Sequence, residues 1–341
     1  MAVKALISTL EDEILDPEEA TYKSTPETFF LFSHKIPSSN LGFIDPKATS
    51  LSLTLADRDF TIHQSPTVLS STRAGGTTGA VLWKITPVFA SYLSSPTSPF
   101  ATIFHPSSTV LELGCGISPL TALLLAPRIS RYILTDQPYV SRMIHQNLEA
   151  NPLASSAATK SSSSSRRRKA GGGGGGSGAS SSSSSSSSAS HAAAGVGQGG
   201  VIEFRSLDWE LDTPTPDLTG SPSARSFDAV VCCDCIYNEA LVDPLVSTTA
   251  DLARLRLRAQ EDEEGGEGEK KEEEAAVRSE PCVCIVAQQL RSPDVFEEWA
   301  KSFHDKFRVW RVPDSLLPEG LRIEAGFVVH MGILRESRFE I

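Results

Sequence analysis

Two glycines, Gly114 and Gly116, bracket Cys115 just after the acidic Glu112, and Asp136 follows about 20 residues later. The glycines allow a tight turn and a close backbone approach to a ligand, with no Cβ in the way. A carboxylate at that distance, at the end of the next strand, can hydrogen-bond a ribose diol. It can equally close an Asx turn. The turn is not the G-x-G-x-x-G of nicotinamide sites, because position 119 is Pro, and the G-K-[ST] of a phosphate-cradling loop is absent. Glu112 would repel a pyrophosphate. A cationic ligand fits better, and the sulfonium cofactor S-adenosylmethionine is one. On these residues alone, a turn that only packs a helix on a sheet stays open.

The surrounding sequence supplies elements to hold these groups. Residues 109–113 form a short apolar run, as a buried parallel strand does. Ser118 suits an N-cap and Pro119 the first position of a helix running to Leu125. Strands are expected at 131–135, 201–204, 227–233 and 282–287, with helices at 141–151, 243–257 and 295–300. A closing pair of strands is expected at 306–312 and 323–334. Such alternation implies a mostly parallel sheet with helices on both faces, wound by right-handed crossovers. Upstream, 60–64 alternates like an exposed strand, 75–79 reads as a loop, and 80–93 reads as a helix with Pro87 as a bend or boundary.

Two stretches cannot pack. Residues 154–200 hold serine and glycine runs and the basic run Arg166-Arg167-Arg168-Lys169. Residues 259–280 carry ten acidic and three basic side chains, as a solvated charged loop, helical in part, would. The expected organisation is an N-terminal extension, 1–58, and one domain, 59–341, interrupted by these two insertions. With 31 Lys+Arg against 42 Asp+Glu, a formal charge of −11, the chain does not read as a dedicated nucleic-acid binder. No apolar run approaches the ~20 residues of a membrane span, and Glu11, Asp12 and Glu13 follow too early for a signal peptide. An intracellular, monomeric protein is expected, cytoplasmic; the basic run reads as a solubilising feature of its loop, with a nuclear-import signal or an RNA contact as the alternatives. The six cysteines lack paired zinc spacing, so no metal is expected and they read as reduced core thiols.

Several segments together resemble one family, the seven-β-strand protein-lysine methyltransferases of the methyltransferase-like group, in particular fungal ones acting on large-subunit ribosomal proteins. The matching pieces are Gly79-Ala80-Val81-Leu82-Trp83, Leu111-Glu112-Leu113-Gly114-Cys115-Gly116, Thr135-Asp136, Leu207-Asp208-Trp209 and Asp234-Cys235-Ile236-Tyr237. They span roughly residues 59 to 335. The resemblance implies a class I S-adenosylmethionine-dependent methyltransferase fold, Rossmann-like, with a seven-stranded sheet.

It also implies roles. Glu112, Gly114, Cys115 and Gly116 would meet the methionine part of S-adenosylmethionine, and Asp136 the ribose. Trp209 would flank the adenine, Trp83 would lean over the cofactor from the N-terminal helix, and Cys233 would line the same pocket. Asp234 and Tyr237 would form the catalytic pair. Asp234 can accept a hydrogen bond from an incoming amine and Tyr237 can offer a ring face to a cation. A base-methylating enzyme would instead need a flat clamp for a flipped base, which Cys235-Ile236 does not provide. The expected partner is a protein, a ribosomal protein above all; the alternatives are a methyltransferase acting on another protein, a nucleic acid or a small molecule, and a non-catalytic cofactor-binding scaffold.

Overall fold

The structure is a computed structural model that describes residues 2–15, 26–37, 42–73, 76–153, 200–264, 280–337 and 339. The serine/glycine insertion up to residue 199, its basic run and residues 265–279 of the acidic loop lie outside them.

The N-terminal part contributes α1 (Ala2–Ile7), β1 (Glu13–Ile14), α2 (Glu27–Phe32) and a hairpin of β2 (Ser50–Leu55) and β3 (Arg58–His63). After α3 (Pro66–Leu69) comes α4 (Ile85–Ser94). The alternating part follows as β4 (Thr109–Leu113), α5 (Leu120–Leu125), β5 (Arg131–Asp136), α6 (Ser141–Ala150), β6 (Val201–Ser206), β7 (Ala229–Cys233), α7 (Val242–Glu264), β8 (Val283–Gln289) and α8 (Pro293–Lys306). Strands β9 (Phe307–Arg311) and β10 (Phe327–Leu334) close the chain.

One sheet runs β1-β9-β10-β8-β7-β4-β5-β6. Strands β6, β5, β4, β7 and β8 are parallel, and β10 enters antiparallel between β8 and β9. The sheet has eight strands where seven were expected. The extra one is β1, whose Glu13 and Ile14 pair with Trp310 and Val309 on the edge strand β9.

Every residue of β4, β7 and β8 is buried, as strands covered on both faces must be. Successive side chains divide between two cores. Val110, Val231 and Ile285 join the layer under α4 and α5, while Leu111, Val230 and Cys284 join the layer under α7 and α8. All six cysteines are buried and free. Among the described residues, no three His, Cys, Asp or Glu side chains cluster as a metal site, and no helix is long and apolar enough to cross a membrane.

The described residues before 59 belong to the same packed body. Val3 and Leu6 of α1 sit in the core with Phe104 and Ile103, and the expected boundary at 58 falls inside the β2–β3 hairpin. That hairpin is also less exposed than its alternation suggested. Phe60 and Ile62 are buried, and the amides of Asn147 on α6 and of Asn151, which caps it, bond the backbone of His63 and Thr61 at 2.7–2.9 Å.

Two helix starts differ from the sequence reading. α4 begins at Ile85, not at residue 80, so Pro87 falls in its first turn, where its missing N–H leaves no bond unmade. α5 begins at Leu120, with Pro119 at the cap position.

Chain order reverses at β4. The connections from β4 run outward through β5 to β6, and β7 returns to β4's other side. Ligands of open α/β sheets bind at the carboxyl ends of the strands beside such a reversal.

Candidate active site

A cleft opens at that point, lined from β4, β5 and β7, from the residues that follow β6 and from residues 76–86. All ten residues singled out in the sequence line it: Trp83, Glu112, Gly114, Cys115, Gly116, Asp136, Trp209, Cys233, Asp234 and Tyr237.

The turn after β4 is left-handed at both glycines, with φ of 66° at Gly114 and 57° at Gly116. Each is also hemmed in. A Cβ on Gly114 would lie 2.9 Å from both Cys235 Sγ and Trp209 Cζ2, and one on Gly116 would lie 3.1 Å from Gly79 O. Glycine is required there by conformation and by space.

Asp136 closes the turn from the end of β5. Its Oδ2 accepts the Gly116 N–H at 2.8 Å and its Oδ1 the Gln137 N–H at 2.7 Å. Burial pushes its carboxyl up to about 6, against the pull of those two N–H groups. The residue therefore both caps the turn and lines the cleft. Asp136→Ala is expected to weaken binding of a ribose-bearing ligand ten- to a hundredfold, the worth of one charged hydrogen bond of about 1.5–3 kcal/mol. Unchanged affinity by calorimetry would remove the ribose role.

Glu112 is almost fully enclosed at 1% exposure. Burial pushes its carboxyl up to about 8, while the Tyr132 hydroxyl donates to its Oε2 at 2.8 Å and Asp136 adds repulsion. Between about pH 4.5 and 8 the folded state keeps a proton that the unfolded chain has lost, so stability falls as pH rises through that window. The loss is on the order of 5 kcal/mol. Glu112→Gln is expected to flatten this slope, which urea unfolding at pH 5 and pH 8 measures directly. An unaltered slope would place the proton elsewhere.

Further groups complete the cleft. Asp208 and Trp209 follow β6, and Gln137 Nε2 donates to Asp208 Oδ2 at 3.3 Å. The segment over the glycine turn is tied down three times. Gly79 N–H donates to Tyr139 Oη at 3.1 Å, Trp83 Nε1 donates to Thr78 O at 3.2 Å, and the hydroxyls of Thr78 and Tyr237 lie 3.1 Å apart. Tyr237 is 38% exposed at the mouth, and burial of its hydroxyl end raises its pKa.

Trp83 does not lean in from a helix as expected. It lies in extended chain before α4, bridged to Phe43, because Pro87 moves the helix start past it. Tyr139, Gln137 and Thr78 were missed by the sequence reading, since nothing in their local pattern marks them. Asp208 does carry a sequence signal, an acidic residue in Leu207-Asp208-Trp209 just after a strand.

Asp234 stands one residue past β7 with φ of 62°, a left-handed conformation that Asp tolerates better than most residues. Its N–H donates to Ala287 O at 2.7 Å. Its carboxylate does not stand open in the cleft. Arg291 holds both oxygens, at 2.7 and 2.6 Å, and Gln289 N–H donates to Oδ1 at 3.2 Å.

No protein-family model matches the chain. It is 29% identical over 285 residues to a Schizosaccharomyces pombe protein named diaminohydroxyphosphoribosylamino-pyrimidine deaminase. That match covers 83% of this chain and 51% of the relative, so the chain spans about half of that protein's length. It is 28% identical over 256 residues to ribosomal lysine N-methyltransferase 5 of Zygosaccharomyces rouxii, covering 70% of this chain and 68% of that protein. Among solved structures, a T. thermophilus 16S rRNA N2 G1207 methyltransferase aligns with a TM-score of 0.41 at 12% identity, over 84% of this chain and 50% of that one.

The sheet order, its reversal at β4 and the antiparallel β10 decide the architecture. The fold is the class I methyltransferase fold. A glycine turn after the central strand and an acidic residue ending the next are where that architecture places a nucleoside cofactor.

Proposed function

We propose that the protein is an S-adenosylmethionine-dependent methyltransferase whose acceptor is a lysine amine of another protein. The single observation that carries the reading is the convergence of all ten anticipated residues on one cleft at the carboxyl ends of β4, β5 and β7.

The cleft fits the cofactor chemically. Asp136 offers carboxylate oxygens beside the glycine turn, suited to a ribose diol. Trp209, set against Gly114, offers a ring face, and the neighbouring Asp208 an acceptor for an exocyclic amine. The Gly114–Gly116 turn suits the methionine portion, whose positive charge would favour ionisation of the otherwise protonated Glu112. When bound, the cofactor supplies an electrophilic methyl group on a sulfonium.

The remaining work is alignment and exclusion of water. The acceptor side is Asp234, Tyr237, Thr78 and Trp83. Of the four lone-pair sites that a carboxylate offers, Asp234 uses three on Arg291 and Gln289 among the described residues. The remaining one, on Oδ2, can take an N–H of the incoming amine. Tyr237 Oη, held by Thr78, turns the phenol ring to the mouth, where a lysine side chain would pass. Neither needs to act as a base, because water can take the proton.

The lysine choice draws on the Zygosaccharomyces rouxii relative and on the Asp-x-x-Tyr motif. The deaminase name of the Schizosaccharomyces pombe relative finds no counterpart here. Zinc deaminases use H-x-E and P-C-x-x-C. No His in the sequence is followed two residues later by Glu, and Pro281-Cys282-Val283-Cys284 has one residue between its cysteines.

Incubating the protein with methyl-labelled cofactor and fungal lysate tests the proposal. Label in a protein band, on lysine, is the expected result. Label in RNA or metabolites would move the protein to another acceptor class, and no label would leave a cofactor-binding scaffold.

A further inference from the structure

Arg291, two residues past β8, belongs to none of the motifs quoted above. Its guanidinium grips Asp234 as a fork, Nη1 to Oδ1 at 2.7 Å and Nη2 to Oδ2 at 2.6 Å, and Nη2 also donates to Gln289 Oε1 at 3.0 Å. Its carbon centre lies 5.1 Å from the middle of the Trp83 ring. The Asp234 side chain is 2% exposed and that of Arg291 19%, so the pair is largely out of water, where charge-assisted bonds gain strength.

The contact extends further. Trp83 packs on Phe43 with ring centres 4.5 Å apart. Residues 42–44 run beside 82–84, with Lys84 N–H donating to Gly42 O at 2.8 Å and Ile44 N–H to Leu82 O at 3.3 Å. Gly42 sits so near that a Cβ there would come within 2.8 Å of Arg291 Nη2 and 3.3 Å of Trp83 Cε3. One side chain thereby joins the end of β7, the extended chain before α4 and a strap from the N-terminal region. The nucleoside-facing residues Asp136 and Trp209 sit elsewhere, at the ends of β5 and β6.

We infer that Arg291 is a positioning residue for the methyl acceptor: it fixes the plane of the Asp234 carboxylate and holds Trp83 and the 42–44 strap as one wall of the acceptor channel. This rests on the methyl-transfer reading of the cleft. A two-toothed fork sets the orientation of a carboxylate in a way that the single ammonium of lysine cannot. The positive charge also balances Asp234, so that carboxylate is not an unpaired anion that would trap the acceptor as its ammonium, the form that cannot accept a methyl group.

The test uses Arg291→Lys, Arg291→Met and the pairing of Arg291→Lys with Asp234→Asn. Turnover on the labelled acceptor, affinity for S-adenosylhomocysteine by calorimetry and melting temperature are measured on each. Arg291→Lys is expected to cut kcat about a hundredfold, the cost of a small misplacement at the reacting centre. Affinity for S-adenosylhomocysteine and melting temperature should stay near those of the parent. Adding Asp234→Asn to Arg291→Lys should cost little more, because the two residues act as one unit.

Losses that simply multiply would overturn the inference. So would a fall in nucleoside affinity and melting temperature in step with turnover for both single variants, which marks a structural pair only. Should the parent protein methylate RNA or a small molecule, the protein-lysine reading falls, and the same comparison on that acceptor still decides the role of Arg291.

Discussion

Gly114→Ala is expected to remove cofactor binding, with affinity reduced by at least a hundredfold, while the chain still folds. The added methyl group would meet Cys235 Sγ and Trp209 Cζ2, both at 2.9 Å, closer than carbon ordinarily approaches either atom. Cys235 cannot retreat. It is buried, and its thiol donates to Leu113 O at 3.2 Å. Relief must therefore come from the Trp209 indole, which is half-buried and forms the cleft wall.

The left-handed φ of 66° adds about 1–2 kcal/mol of strain for any residue with a Cβ. The turn and the adenine-side wall move together, and both would contact the cofactor. A drop of several degrees in melting temperature should accompany the loss. Calorimetric titration with S-adenosylhomocysteine reads the main effect. Binding within a few-fold of the parent would mean that the turn does not meet the ligand.

That coupling explains how much of the site was legible in the sequence. The glycine turn, Asp136 and the Asp-x-x-Tyr segment each sit at the end of a strand. A buried parallel strand announces itself as an uninterrupted apolar run, as in Ala229-Val230-Val231-Cys232-Cys233. Once strands and their order are placed, the residues after their carboxyl ends must converge.

Partners set by tertiary packing carry no such signal. Arg291 looks like any loop arginine until Asp234 is seen opposite. Tyr139 and Thr78 matter only because the 76–80 segment folds over Gly116. The N-terminal segment was set apart because its motif content is low, yet Val3, Leu6 and the short β1 fill a core edge that local pattern does not reveal. Trp83 was assigned to the right cleft on the wrong element, since a helix pattern running through Pro87 can begin on either side of the proline.

Asp234→Asn should lower turnover by two to three orders of magnitude and leave nucleoside affinity nearly unchanged. Asn is the informative substitution because the backbone here is left-handed, with φ of 62°. Asn tolerates that conformation as Asp does, whereas Ala would add strain of its own. The amide keeps one acceptor oxygen but cannot receive both arms of the Arg291 fork. Its NH₂ would face a guanidinium arm now at 2.6–2.7 Å, so the side chain must rotate or Arg291 must withdraw.

Either movement takes the acceptor oxygen away from the incoming amine, and misalignment of this kind acts on the reacting pair and not on the bound nucleoside. The competing account gives Asp234 only the task of holding the end of β7 through its N–H to Ala287 O and its bond from Gln289 N–H. The first of these is a backbone bond that Asn preserves, so that account expects turnover close to the parent's, with a modest loss of stability from the second. Turnover, affinity for S-adenosylhomocysteine and melting temperature on this one variant therefore separate the two. A large fall in turnover alone supports acceptor alignment, and parent-like turnover refutes it.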